Sequence, residues 1–200
     1  ISFIVLAVGF IPGIDDATRI VYQASLLTWI FVMRILMVIT SIAAFGINRL
    51  ITAVKYTGKE NLDFEEPLTH LVWITSILSI IVTFAASYLL IGPASEIGSK
   101  SPDLWMVLSI IISCGTLGAA LIPEFTKIFT SPKSKHVNEV VTASREGGAS
   151  LTILSGLVAG NFSAFWQGIV FLALMFGAYF ASNFGLADFM IYPSIFAFGL

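Results

Sequence analysis

Long apolar runs alternate with short polar stretches along this chain, and the runs show no two-residue alternation. Four of them, at about 24–47, 70–92, 104–129 and 149–181, reach the roughly 20 residues a helix needs to cross about 30 Å of hydrocarbon. Shorter apolar stretches at 1–11 and 188–200 read as the ends of two further, truncated helices. Runs such as Ile77-Leu78-Ser79-Ile80-Ile81-Val82 and Phe171-Leu172-Ala173-Leu174-Met175-Phe176 are apolar on every side. A membrane barrel strand would alternate, whereas a helix satisfies its own backbone in lipid. The expected fold is therefore an all-α, polytopic transmembrane bundle, with residues 1–200 forming one membrane domain.

Composition sharpens this picture. The chain is 57% hydrophobic and 11% charged, and the globular average of about 25% charged residues is far higher. A net charge of -2 excludes a nucleic-acid binder and an acidic disordered tail. The single cysteine, Cys114, sits in an apolar run, so the chain has no disulfide framework or cysteine zinc site of its own. Both chain ends fall within apolar sequence, as expected of a piece of a longer protein.

Basic residues set the orientation. Arg49, Lys55 and Lys59 in the stretch 48–69, with Lys127, Lys133, Lys135 and Arg145 in 124–148, make up seven of the ten. Positive charge is retained in the cytoplasm, so these two segments are expected there, and the turns at 93–103 and 182–187 outside. Residues 1–11 lack the basic start and small-residue cleavage pattern of a secretory signal.

Few residues carry candidate chemistry. Arg34 is the one candidate for a buried charge within a complete span, either snorkelling to the outer interface or serving an interhelical path. No carboxylate lies deep in a complete span, which argues against a self-contained ion-coupling site. Gly147-Gly148, with Arg145 nearby, reads as a tight entry turn in preference to a phosphate cradle, with Ser150 or a neighbour as cap. Glu124 and Lys127 read as an interfacial pair, and Glu65-Glu66-Pro67 as a helix start. His70 and His136 have no ligand spacing to each other or to carboxylates. The sequon Asn161-Phe162-Ser163 falls within a span and is expected to stay unmodified. Gly156 and Gly160, with Gly115 and Ala119 in the preceding span, suggest close helix packing, and Asn161, Ser163 and Gln167 suggest interhelical hydrogen bonds or a path lining. No residue is assigned a catalytic, cofactor-binding or metal-binding role.

The run from Glu124 to Ser131, and the longer one from His136-Val-Asn-Glu-Val-Val through Arg145-Glu-Gly-Gly-Ala-Ser to Asn161-Phe-Ser-Ala-Phe-Trp166, resembles the membrane-integral pyrophosphatases. Phe64-Glu-Glu-Pro-Leu-Thr-His-Leu-Val-Trp73 and Pro193 to Leu200 are similar to further family segments. The resemblance implies a sixteen-helix fold, six inner helices within an outer ring, usually as a homodimer in a membrane, here a bacterial inner membrane. This chain is similar to the seventh to tenth helices, in the outer ring. The implied activity is hydrolysis of pyrophosphate coupled to pumping of protons, sodium or both. Magnesium is the implied cofactor, and potassium or sodium a further cation; Gly160 to Trp166 is similar to potassium-stimulated, sodium-transporting relatives. The family's aspartate-rich magnesium and pyrophosphate motifs are absent from these residues, so Glu124 to Ser150 is expected to brace a hydrolytic site formed elsewhere. The alternative is a non-catalytic helical scaffold or secondary transporter subunit.

Overall fold

The computed structural model describes residues 15–56, 65–95, 102–184, 186, 190 and 192–200. Among them there is no strand: the elements are α1 (Asp16–Tyr56), α2 (Glu65–Ile91), α3 (Leu104–Thr130), α4 (Lys135–Asn183) and α5 (Pro193–Gly199). Three stretches are long and apolar enough to cross a membrane: Asp16–Lys55, Glu65–Ile91 and Leu104–Asn183, the last containing both α3 and α4. The all-α reading holds. The expected partial span 1–11 lies outside the described residues, as does Lys59.

The helices run further than hydropathy suggests. Arg49 and Lys55, expected in a loop, sit on the final turns of α1, where a basic residue also complements the negative end of the helix dipole. Glu65 and Glu66 occupy the first turn of α2, as expected of a helix start. The basic stretch 124–148 is mostly helical too, broken by a turn at 131–134. Here local helix propensity and side-chain capping outweigh the polar composition that hydropathy registers.

The chain divides into two compact units, Ile1–Thr116 with Met175–Leu200, and Leu117–Leu174. In the first, α1 buries Tyr22, Leu26, Trp29, Met33, Thr40, Ala44 and Asn48. Their spacing of three and four residues, or seven, keeps them in one stripe along the helix. The facing stripe of α2 is small and hydroxylated: Ser76, Ser79, Thr83, Ala86 and Ser87. Four polar contacts run along the seam. Trp29 Nε1 donates to Ser87 Oγ at 3.1 Å, the Thr40 and Ser79 hydroxyls meet at 3.4 Å, Asn48 Nδ2 donates to the Pro67 carbonyl at 3.2 Å, and Lys55 Nζ reaches Glu66 Oε1 at 2.6 Å. As numbers rise on α1 they fall on α2, so the pair is antiparallel.

This arrangement inverts that of a water-soluble helix pair. Leu68, Ile77, Ile81 and Leu89 of α2 lie exposed while its serines are buried. In lipid no hydrophobic force drives helices together, so small side chains that let backbones approach and hydroxyls that bond across the seam take that role, each bond worth about 0.6 kcal/mol on average. The core of this unit continues through Leu104, Val107, Leu108 and Ile111 of α3 to Leu186, Met190, Phe196 and Ala197. Trp105 closes one side with edge-on contacts to Phe84 and Tyr88 at centroid distances of 6.5 and 5.2 Å.

Candidate functional site

In the second unit, α3 and α4 meet around a short polar turn. The apolar run of α3 ends at Ile122, and Pro123 begins the polar sequence Glu124-Phe125-Thr126-Lys127. Pro132 lacks a backbone N–H and disfavours helix at Ser131, so α3 stops at Thr130. The turn then closes on its own groups: the Ser131 N–H donates to the Lys127 carbonyl and the Ser134 N–H to the Ser131 carbonyl, both at 2.9 Å. Ser134 caps α4, its hydroxyl oxygen accepting from the His136 N–H at 3.2 Å while its own hydrogen goes to the Ile128 carbonyl.

These bonds hold open a recess of about 430 Å³ lined by Glu124, Lys127, Ile128, Ser131, Ser134, Lys135 and His136. Two lysines, one carboxylate and two serines thus share its lining. Glu124 and Lys127, expected as an interfacial pair, both open onto this recess. The sequence marked Lys133 and Lys135 only as orienting charge and His136 only as lacking ligand spacing. The signal available was Ser-Pro-Lys-Ser itself, a turn whose last serine can cap the following helix.

An aromatic cluster backs the recess. The His136 ring stacks on Phe129 at 4.8 Å with 23° between planes, and Phe162 stands 6.0 Å from both rings. Phe162 in turn meets Trp166 edge-on at 6.2 Å. His136 and Phe162 both belong to α4, and a straight helix would separate them by about 39 Å. The helix is not straight. At Gly148, φ is 61° and ψ is -151°, a conformation open essentially to glycine alone, and the chain folds back so that the arm 135–147 returns alongside the start of the arm 149–183. Gly147 is tight as well, since a Cβ there would lie 1.8 Å from Leu151 Cδ1. The paired glycines are thus an entry turn, as expected. Thr152, whose hydroxyl donates to the Gly148 carbonyl at 2.8 Å, makes the side-chain bond at that turn.

Beyond the turn, α3 and the long arm of α4 run antiparallel. Gln167 Nε2 donates to Thr126 Oγ1 at 3.3 Å and to Ser163 Oγ at 3.5 Å, an interhelical use of the polar residues read within this span. Asn161 is exposed. Among the described residues the close packing expected at Gly115, Gly156 and Gly160 is not made within this chain: a Cβ added at any of them would meet nothing within 4 Å. Close packing occurs instead at Gly118, where an added Cβ would lie 3.3 Å from Leu174 Cδ1. The helical phase, set by the neighbours of each glycine, turns Gly118 and Ala120 inward and Gly115 and Ala119 outward.

The remaining residues singled out from sequence stand apart from the recess. Arg34 is exposed, off the buried stripe of α1. His70 Nε2 lies 3.7 Å from Glu66 Oε1, the carboxylate that Lys55 also engages, which makes it part of the α1–α2 seam. Among the described residues no three His, Cys, Asp or Glu side chains are grouped closely enough to hold a metal ion. The described residues thus offer no ready-made ligand group for the magnesium that the resemblance implies.

Comparison with known proteins extends this geometry. The family profile described as inorganic H+ pyrophosphatase matches residues 1–200. A curated relative from Chlorobaculum tepidum, a "K(+)-insensitive pyrophosphate-energized proton pump", is 46% identical over the full 200 residues. The chain spans 25% of that relative's length. No solved structure matches the chain.

Proposed function

Because the chain belongs to the inorganic H+ pyrophosphatase family, we propose that it forms part of a membrane pump that hydrolyses pyrophosphate and moves protons across the bilayer. The observation that carries this reading is the 46% identity maintained along the whole chain to a pyrophosphate-energised proton pump. The inverted helix pair, apolar outside and hydroxylated inside, fits a protein whose solvent is lipid. The alternative of a non-catalytic scaffold or transporter subunit has no comparable observation in its favour.

In this reading the segment is wall and brace. Magnesium, the phosphoryl chemistry and the ion gate are assigned to other parts of the pump, in keeping with the lack of the family's aspartate-rich motifs in this sequence. The relative's potassium insensitivity favours a proton pump without potassium stimulation over the sodium-transporting type suggested by Gly160 to Trp166. The complete protein is proposed to act as a homodimer in the bacterial inner membrane, with 124–148 on the cytoplasmic side.

The test is pyrophosphate-driven dye quenching in inverted membrane vesicles carrying the complete protein that contains this chain. Proton uptake on adding magnesium and pyrophosphate, unchanged by removing potassium and sodium, is the expected result. Absence of pyrophosphate-dependent uptake would refute the pump reading, and uptake only with sodium or potassium would refute the choice of ion.

A further inference from the structure

We propose that the recess at the α3–α4 turn is a binding site for the phosphate headgroup of an anionic phospholipid. Three observations converge on it. The first is charge: Lys127 and Lys135, against one carboxylate, Glu124, line a recess of about 430 Å³ together with Ser131 and Ser134. A phosphodiester supplies acceptor oxygens for lysine ammonium donors.

The second is depth. Residues 104–122 make about 28 Å of helix, nearly the whole thickness of a hydrocarbon core of about 30 Å. Lys127 stands five residues past Ile122, about 7–8 Å along the axis, where the headgroup layer extends about 5–8 Å from the core. The recess therefore sits at the level of lipid phosphates, which is why a lipid is the occupant in preference to a free phosphate ion. The third is an apolar flank: Ile128, which lines the recess, is 52% exposed. An acyl chain attached to the bound headgroup can lie against this side chain.

The site does not depend on which ion is pumped, and it sets an exposed apolar side chain, Ile128, beside its lysines. Basic pockets near the cytoplasmic interface attract anionic lipid, each lysine contributing about five-fold in affinity. The test uses the complete protein in detergent, with phosphatidylglycerol or phosphatidylcholine added stepwise and bound lipid counted by native mass spectrometry. Phosphatidylglycerol should be retained selectively and saturably; Lys135→Gln should weaken it about five-fold and the Lys127→Gln/Lys135→Gln pair about 25-fold, with Lys135→Arg retaining it. If the double variant fails to fold, raising ionic strength on the unaltered protein must weaken phosphatidylglycerol binding and leave phosphatidylcholine unchanged. Equal retention of the two lipids, selective retention that survives the double substitution, or displacement by inorganic phosphate at concentrations matching the lipid would each overturn the proposal.

Discussion

The two helix pairs use glycine, serine and threonine in opposite ways. In α1–α2 the small and hydroxylated residues Ser76, Ser79, Thr83 and Ser87 are buried against Trp29, Thr40 and their neighbours. In the α3–α4 unit the more conspicuous small-residue motif, Gly156 with Gly160, faces open space, while the inconspicuous Gly118 makes the close contact. A small residue thus reports only that a backbone can be approached. Which face is approached depends on helical phase relative to large partners such as Trp29 or Leu174. The seam of α1–α2 is also stitched along its length, whereas α3–α4 is fixed near its turn by a cap, an aromatic stack and the Gln167 bonds.

The strongest way to break the contrast is at its most buried residue. Trp29→Ala in the complete protein removes a side chain that is 0% exposed and releases the Ser87 hydroxyl, and should cost about 3–5 kcal/mol by thermal or denaturant unfolding in detergent. A cost below about 1 kcal/mol would mean that the seam is not the centre of its unit. Gly148→Val should come next, at about 1–3 kcal/mol, because valine must occupy the backbone conformation at φ 61° or straighten the helix. Loss of contact between His136 and Phe162, read as failure of a disulfide between cysteines placed in the two arms, would accompany straightening. Thr40→Val deletes one seam bond and should cost about 0.6 kcal/mol. The smallest effect is expected at Gly156→Ala and Gly160→Ala, each neutral or stabilising by up to about 1 kcal/mol because alanine is the better helix former. A clear loss of stability there would show that another part of the complete pump closes on this face.

The sequence carried the helical class, the apolar runs, the helix start at Glu65-Glu66-Pro67 and the glycine turn, because each depends on neighbours within a few positions. It did not reveal that Ser79 pairs with Thr40 or that Ser87 accepts from Trp29. Those partners lie 39 and 58 positions apart, beyond the reach of any local pattern. The recess was half legible: Glu124, Lys127 and Lys135 were noted as charges. Their convergence depends on Ser134 ending one helix turn and capping the next, a geometry that hydropathy does not register. His136, which has no metal-ligand spacing in the sequence, stacks on Phe129 across the turn at 131–134, and the fold-back at Gly148 brings Phe162 to it.

That fold-back has a consequence for the order in which the polypeptide takes shape. The Phe129–His136 stack spans seven positions and the His136–Phe162 contact 26, while the Trp29–Ser87 bond spans 58. Contacts close in sequence form with little loss of chain entropy. The turn and both arms around Gly148 can therefore assemble as soon as Trp166 has left the ribosome, giving the emerging chain a preformed hairpin beside the bilayer before its later helices are made.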